Sequence, residues 1–200
     1  MQKLQNIIIG LTGMSGAGKS TVCGAFQGRG FSVVDCDVIA RKAAENTAFL
    51  AEISERFSEK MLNSDGSLNR PEVARLIYRD KSAKEKYQRI IFPYIIYNVI
   101  QEVKNSDSAV LLDAPTLFES KLDMICSKIV SVCADKSVCA DRIAIRDNIT
   151  LEQAVSRISA QHNEKFFAER SDYFITNDAT VDELNDKAEK MIDMILKGVQ

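Results

Sequence analysis

Short apolar runs recur along the chain, and glycines or other turn-forming residues bound most of them. They occupy residues 7–11, 31–34, 110–112, 129–132 and 173–175. A continuous apolar run of this length is typical of a strand that is buried on both faces of a parallel sheet. The pattern therefore predicts five buried strands.

A helical pattern separates the first two runs. Residues 18–26 have the spacing of a helix, and Gly28 and Gly30 are expected to end it. A strand, a helix and a second strand in this order form a βαβ unit with a right-handed crossover. The start of the chain therefore indicates an α/β fold, with another helix expected from residue 35 onward.

A mostly helical stretch, residues 47–105, is predicted between the second and third strands. Within it, a turn at residues 65–66 precedes a helix start at residues 69–72, where a capping side chain, a proline and an acid follow one another. Residues 82–85 are spaced as a capping box for the next helix, which Pro93 is expected to kink or divide. Three later helices are expected to begin near Val138, Thr150 and Thr180.

The composition is that of a globular protein, and the length suits one domain or one core with an inserted or hinged subdomain. The chain has 200 residues, of which 46% are hydrophobic and 27% charged, and its formal charge is -2. That balance argues against nucleic-acid binding through bulk electrostatics. No apolar run approaches the ~20 residues of a membrane span, and the first residues lack the apolar stretch of a signal peptide. We expect a cytoplasmic protein without a membrane partner, and the sequence leaves its oligomeric state open.

The cysteines and the histidine predict neither disulfides nor a zinc site. The five cysteines are spread out without a CxxC pair, and the chain has a single histidine, His162. This usage is typical of reduced thiols that behave as small hydrophobic side chains.

The strongest motif is Gly13–Ser20, which matches the phosphate-binding pattern G-x-x-x-x-G-K-[ST] in full. It follows an apolar run and precedes a helical pattern, as a loop that cradles phosphate at a helix N-terminus requires. We expect Lys19 to reach the β- and γ-phosphates, Ser20 to help hold Mg²⁺ and Thr21 to contact the α-phosphate. The alternative is a glycine-rich turn with an incidental lysine. The predicted nucleotide-binding residues are Gly13, Ser15, Gly16, Ala17, Gly18, Lys19, Ser20 and Thr21.

A kinase fits this motif better than other nucleotide-binding proteins. The chain lacks the Asn-Lys-x-Asp sequence with which GTPases read guanine, and its length is small for a motor ATPase. P-loops serve kinases, GTPases and ATPases alike, so the choice rests on the rest of the chain.

Carboxylates follow two of the predicted strands. Asp35 and Asp37 come just after the second strand, which we expect beside the P-loop strand, and Asp37 is the candidate that accepts the proton of an attacking hydroxyl. The alternative is that one of these two aspartates caps the next helix. Asp113 ends the third strand, where an acid commonly holds Mg²⁺ or its waters, with a turn-forming role as the alternative.

Arginines on two consecutive predicted helices are candidates for charge stabilisation. Arg142 and Arg146 are four residues apart and share one helix face, and Arg157 follows on the next helix. A lid that carries them over the γ-phosphate would supply positive charge and exclude water. The alternative is an exposed basic surface paired with nearby acids.

With these residues assembled, the chain resembles the dephospho-coenzyme A kinase family in segments that follow one another along nearly its whole length. The matching segments are Gly10–Gly13 before the P-loop, Val34–Arg41, Asp65–Arg70, Asp113–Glu119, Arg142–Arg146 with Gln161, and Ser171–Asn177.

This resemblance implies the ATP-dependent phosphorylation of the ribose 3′-hydroxyl of dephospho-coenzyme A, which gives coenzyme A and ADP in the last step of coenzyme A biosynthesis. It implies a P-loop kinase fold, an α/β fold with a five-stranded parallel sheet flanked by helices. Residues 1–200 would form one domain, with a helical substrate-binding subdomain at about 60–105 and a lid at about 138–165.

The resemblance also implies roles for single residues. Asp37 takes the role of the catalytic acceptor, together with Lys19, Arg142 and Arg146 as catalytic residues. Asn177 joins the residues that bind ATP. Substrate contacts are expected from Asp37, Arg41, Arg70 and Asp113, with surface charge as the alternative for the two arginines and support of the metal as the alternative for Asp113.

Three positions depart from the family pattern. Phe92 stands where a histidine is usual, Thr116 where a leucine is usual and Asn69 where an aspartate is usual. They bear on substrate affinity more than on the class of reaction. Two other hypotheses stay open at this point: a kinase for a nucleoside or nucleotide acceptor, and a nucleotide-binding regulator without small-molecule turnover.

Overall fold

A computed structural model describes residues 7–178 and 180–198. Its five strands form one parallel sheet in the order β2-β3-β1-β4-β5. The bounds are β1 (Ile8–Gly13), β2 (Ser32–Asp35), β3 (Val110–Asp113), β4 (Lys128–Cys133) and β5 (Tyr173–Thr176). The five predicted strands are confirmed, and β1 reaches two residues further into the glycine motif than its apolar run.

The helices occupy most of the remaining described residues. They are α1 (Lys19–Gly28), α2 (Cys36–Ala43), α3 (Thr47–Arg56), α4 (Arg70–Arg79), α5 (Lys81–Lys104), α6 (Lys136–Asp147), α7 (Leu151–Ser159), α8 (Glu164–Ala168) and α9 (Val181–Gly198). Two short 3-10 turns lie at Glu59–Met61 and Leu122–Ile125. None of the described helices is both long enough and apolar enough to cross a bilayer.

The strand order corrects one expectation from the sequence. We expected β2, with Asp35 at its end, beside the P-loop strand, but β3 lies between β2 and β1. The backbone N–H of Ser32 donates to the carbonyl of Ala109 at 2.8 Å, directly before β3. The crossover through α1 therefore skips one strand position, and the chain fills that position only after its long helical stretch.

The chain divides into two compact units, which we call the sheet unit and the helical unit. The sheet unit runs up to Val34 and resumes at Ser106, and the helical unit is Asp35–Asn105. The helical unit thus begins well before residue 60, the start expected for a substrate-binding subdomain. That this unit binds substrate, and that residues 138–165 form a lid, both stay predictions.

Each unit has its own apolar interior. In the sheet unit, fully buried side chains such as Ile9, Leu11 and Phe26 pack in one cluster, into which α9 also contributes Leu184 and Ile192. In the helical unit, the ring of Phe49 packs edge-on against those of Tyr87 and Tyr94, at centroid distances of 6.0 and 5.7 Å. Burying each such side chain contributes about 1.5–3 kcal/mol to the free energy of unfolding, and this stabilises each unit internally.

One expectation about α5 is wrong. Asp80, and not Ser82, caps this helix, because the Asp80 Oδ1 accepts the N–H groups of Ser82 at 2.8 Å and Ala83 at 3.1 Å. The helix continues through Pro93 as one element of 24 residues and does not divide there, so of the two expected effects of Pro93 only a kink stays a prediction. Pro93 removes one backbone hydrogen bond. Burial of the flanking Ile91 and Ile95 offsets this loss.

The helix starts predicted at Asn69, Thr150 and Thr180 are confirmed, whereas α6 begins at Lys136, two residues before Val138. Thr150 and Gln153 form a reciprocal capping box at α7. Thr180 and Glu183 bond each other's backbone N–H groups at α9. Asn69 caps α4 by accepting the N–H of Glu72 at 3.2 Å. Asparagine and aspartate cap a helix about equally well, so the departure at Asn69 leaves this local structure unchanged.

Candidate active site

The loop between β1 and α1 has a backbone shape that requires glycine. Gly13 has a φ of 130°, and a Cβ atom there would lie 2.0 Å from the carbonyl oxygen of Val132. Gly18 has a φ of 101°, and a Cβ atom there would lie 2.7 Å from the Asn177 Nδ2. Because both positions exclude a side chain for steric and conformational reasons, the loop keeps its concave shape only with glycine.

The N-terminus of α1 differs from those of the other helices. Its N-cap residue is Gly18, and no side chain caps it. A polar side chain caps each of the helices α2–α8. In chain order, the capping residues are Asp35, Asn46, Asn69, Asp80, Asp135, Thr150 and Asn163. The first amide groups of a helix need an acceptor and carry a partial positive charge. An anion held by the loop would be that acceptor for α1.

Lys19 and its neighbours line this helix start. The Lys19 Nζ donates to the carbonyl oxygens of Gly13 and Met14, both at 3.1 Å, so the ammonium group stands across the loop. The Ser20 side chain is exposed, and Thr21 is half-buried. Residues 13–21 thus form the loop and the start of α1, and the binding of a nucleotide by these residues stays a prediction.

Four groups support the loop from the surrounding sheet unit. The Met14 N–H donates to the Val132 carbonyl at 3.0 Å. The Ser15 N–H donates to the Gln161 Oε1 at 2.9 Å, and the Arg142 guanidinium donates to the Gly16 carbonyl at 3.2 Å. The Asn177 Nδ2 donates to the Ala17 carbonyl at 2.8 Å. Sequence reasoning did not predict these loop contacts, because they join residues far apart in the chain.

Asn177 lies behind the loop. Its side chain is only 5% exposed, and its backbone N–H donates to the Cys133 carbonyl at 2.7 Å. In this position its amide group fixes the backbone of Ala17. The direct contact between Asn177 and ATP that the family resemblance implies stays a prediction.

Asp113 lies at the end of β3, the strand directly beside β1. Its register partner in β1 is Leu11, two residues before Gly13, and its side chain is half-buried. The sheet thus brings this carboxylate to the edge from which the phosphate-binding loop begins, as expected for an acid at a strand end.

Arg142 and Arg146 have different partners although both lie on α6. Arg142 reaches the loop, whereas Arg146 pairs with Asp147 at 2.7 Å. Arg157 of α7 pairs with the same Asp147 carboxylate, also at 2.7 Å. The hydrogen bond from Arg146 is the main cause that lowers the pKa of Asp147 and raises the pKa of Arg146. The role of Arg146 in phosphoryl transfer stays a prediction.

In the helical unit, Asp35 and Asp37 differ in their contacts, although the sequence alone did not show which of them caps α2. Asp35 is the N-cap of α2, since its Oδ1 accepts the N–H groups of Asp37 at 2.8 Å and Val38 at 2.9 Å. Asp37 lies in the first turn of the helix with an exposed side chain. Capping therefore belongs to Asp35, and the catalytic role of Asp37 stays a prediction.

The two candidate substrate arginines lie close together in the same unit. The Arg70 guanidinium donates to the backbone carbonyl of Arg41 at 3.4 Å, and both side chains are exposed. Arg41 is in the last turn of α2 and Arg70 opens α4. The guanidinium of Arg70 thus lies at the backbone of α2, and the contact of either arginine with substrate stays a prediction.

Metal binding at this site would depend on few protein ligands. Within residues 7–178 and 180–198, no group of three or more His, Cys, Asp or Glu side chains could hold a metal ion. Mg²⁺ commonly keeps several waters and uses one or two protein oxygens together with substrate phosphates. Ser20 at the helix start and Asp113 at the strand end are the side chains that fit this pattern.

Comparison with known proteins decides the family. The model of the dephospho-CoA kinase family matches residues 7–183. The chain belongs to the dephospho-CoA kinase family. A dephospho-CoA kinase of Fusobacterium nucleatum is 35% identical over 191 residues, which cover 94% of this chain and 98% of that protein.

Solved structures agree with this family and its fold. A protein from Thermus thermophilus matches with a TM-score of 0.82 at 26% identity, over 98% of this chain and 99% of that one. A dephospho-CoA kinase from Campylobacter jejuni matches with a TM-score of 0.68 at 25% identity, over 96% and 98%. The predicted P-loop kinase fold, the resemblance and the assignment to a kinase family are confirmed, and a kinase of this family uses ATP.

Proposed function

We propose that this chain transfers the γ-phosphoryl group of ATP to the ribose 3′-hydroxyl of dephospho-CoA, releasing CoA and ADP. The observation that carries the proposal is the uncapped N-terminus of α1 behind a loop that only glycine can form. Family membership supplies the acceptor, because the matching model and relatives are dephospho-CoA kinases.

The loop Gly13–Thr21 would hold the phosphates of ATP. Its backbone N–H groups and the start of α1 would face the anionic oxygens, and Lys19 would leave part of its contact with the loop carbonyls to meet the β- and γ-phosphates. The Ser20 hydroxyl, together with Asp113 at the end of β3, would hold Mg²⁺. The metal would supply positive charge to the phosphates.

Asp37 would accept the proton of the 3′-hydroxyl. The hydroxyl oxygen would attack the γ-phosphorus, and the bond from that phosphorus to the oxygen shared with the β-phosphate would break, its electron pair leaving with ADP. Arg142 and Arg146 would neutralise the charge on the transferring group. Most of the rate enhancement would come from positioning and electrostatics, since phosphoryl transfer requires little covalent chemistry from the protein.

The proposal also includes the residues that contact substrate and the cellular location of the protein. Arg41 and Arg70 have exposed side chains, and their guanidinium groups would bind the phosphates of dephospho-CoA. Asn177 would complete the nucleotide site. We also carry over from the sequence the cytoplasmic location and the absence of a nucleic-acid partner.

Acceptor choice tests the proposal. Purified protein with ATP and Mg²⁺ would receive dephospho-CoA, adenosine, AMP or no acceptor, and the release of ADP would be followed. We expect turnover only with dephospho-CoA, and none above background for Lys19→Ala. Turnover with adenosine or AMP instead would assign a different acceptor. ATP binding without turnover on any acceptor would favour a regulator.

A further inference from the structure

Gln161 makes a contact with the phosphate-binding loop that its place in the sequence does not predict. It lies in the turn that ends α7, where its N–H donates to the Ile158 carbonyl at 3.0 Å. Its side chain turns to the loop, and its Oε1 accepts the Ser15 N–H at 2.9 Å. The bond joins residues 146 positions apart in the sheet unit, so it fixes tertiary structure and not a local turn.

The bond holds the part of the loop that orients Lys19. Ser15 directly follows Gly13 and Met14, whose carbonyl oxygens accept the Lys19 ammonium at 3.1 Å. A peptide unit that rotates moves its N–H and the preceding carbonyl together. Because the Ser15 N–H and the Met14 carbonyl belong to one peptide unit, an acceptor on that N–H also fixes a carbonyl that Lys19 uses.

A cluster of rings next to Gln161 fixes the segment that carries it. The His162 ring stacks on the Phe166 ring at a centroid distance of 3.6 Å and an angle of 8°. The His162 Nε2 lies 3.2 Å from the Glu119 Oε1, in the chain that leads away from β3. The Phe166 ring also meets the Phe118 ring edge-on at 5.5 Å, and the Arg170 guanidinium lies 4.2 Å from its centroid.

We propose that Gln161 is a positioning residue for phosphoryl transfer, which acts through the Ser15 amide on the loop and on Lys19, and that the stacked His162 holds it in place. The inference rests on the proposed function for its kinetic consequence only. Its structural consequence, protection of the Ser15 N–H, holds for the protein without substrates.

The first test is amide hydrogen exchange at Ser15 in the nucleotide-free protein. In Gln161→Ala the N–H loses its acceptor, and we expect exchange about tenfold faster than in the wild type, the cost of one ordinary hydrogen bond. Lys165→Ala is the matched control, because this exposed side chain lies on the same segment and pairs only loosely with Glu169, at 3.7 Å. Unchanged exchange in Gln161→Ala would overturn the proposal, whatever the activity of the protein.

The second test separates kcat from affinity. Gln161→Ala is expected to lower kcat with dephospho-CoA about tenfold, because Lys19 is misplaced toward the transferring group. It should weaken ADP binding by a smaller factor, because ADP retains only the β-phosphate that Lys19 meets. Lys165→Ala should retain the wild-type kcat. A purely structural Gln161 would instead lower the melting temperature and spare the kcat of the folded protein, and this result would overturn the inference. Absence of turnover in the wild type would reject the proposed function but would leave the exchange test in force.

The conservative variant provides a rescue. Gln161→Glu keeps an acceptor oxygen for the Ser15 N–H, so its exchange rate should return toward the wild-type value. Its negative charge would lie beside the loop that we propose to hold the ATP phosphates, and repulsion between like charges should raise the KM for ATP. Exchange as fast as in Gln161→Ala would contradict the role of this hydrogen bond.

The role of His162 is tested by a double variant. His162→Ala should speed Ser15 exchange less than Gln161→Ala does, and the double variant should exchange no faster than Gln161→Ala, because both changes act on one contact. Additive effects of the two substitutions would reject the part of the proposal that connects the ring cluster to Gln161.

Discussion

At the scale of single residues, the structure shows which of two neighbouring aspartates caps a helix. Asp35 and Asp37 have the same chemistry and both follow β2, so the sequence could not divide capping from catalysis between them. The structure gives the capping bonds to Asp35, at 2.8 and 2.9 Å. The P-loop residues were predictable because a phosphate-binding loop requires a fixed local spacing of glycine, lysine and serine. The loop contacts of Gln161 and Arg142 depend on tertiary structure instead.

Substituting each of the two aspartates should affect a different property. Asp37→Asn should lower kcat at least about 100-fold, the usual contribution of a general base, with ATP affinity nearly unchanged. Asp35→Ala should instead lower the free energy of unfolding by about 1 kcal/mol through the loss of the cap. Steady-state kinetics and urea denaturation of both variants provide the measurement. Normal kcat in Asp37→Asn would remove the catalytic role from this residue.

At the scale of elements, helix starts were predicted better than strand order. Capping patterns are local, so Thr150 and Thr180 were assigned from a few residues. Even so, Asp80 caps α5 two residues before the predicted Ser82, because both sites offer an oxygen and only the folded backbone selects one. The position of β3 between β1 and β2 depends on where the chain returns after its helical unit, which no local pattern encodes.

Gly18, the N-cap of α1, and Gly24, inside the same helix, provide a matched pair of substitutions. At Gly18 a Cβ atom would lie 2.8 Å from the Leu184 Cδ2 and the φ is 101°, whereas at Gly24, inside the helix, nothing lies within 4 Å. Gly18→Ala should therefore lose both ATP affinity and stability. Gly24→Ala should raise the free energy of unfolding by about 0.5–1 kcal/mol and leave ATP affinity unchanged. Thermal denaturation and calorimetric titration with ATP test both variants. Equal ATP affinity in the two would contradict the cradle.

At the scale of the whole molecule, titrating groups limit stability at both ends of the pH range. Hydrogen bonds from Arg75, Arg146 and Lys187 are the main causes that lower the pKa values of Glu72, Asp147 and Asp178. Burial raises the pKa of the Cys126 thiol to about 12 and that of Cys133 to about 11. The fold therefore favours ionised carboxyl groups and neutral thiols.

The free energy of unfolding should form a plateau around neutral pH. In acid, the unfolded chain takes up protons first, so stability should fall as the pH drops below the ordinary carboxyl values of 3.8 and 4.5. In alkali, the unfolded chain loses thiol protons first, so stability should fall as the pH rises above the ordinary thiol value of 9.0. Urea midpoints from pH 3 to pH 11 measure this, and Cys126→Ala should flatten the alkaline slope. A urea midpoint that increases as the pH rises above 9 would contradict the raised pKa values of the two thiols.

Formation of CoA by the purified protein tests the central claim most directly. Dephospho-CoA, ATP and Mg²⁺ would be incubated with the wild type and with Lys19→Ala, and the 3′-phosphorylated product would be identified by mass spectrometry and ³¹P NMR. We predict CoA and ADP in equal amounts from the wild type, and almost none from Lys19→Ala. Wild-type protein that binds ATP but leaves dephospho-CoA unchanged would contradict the account.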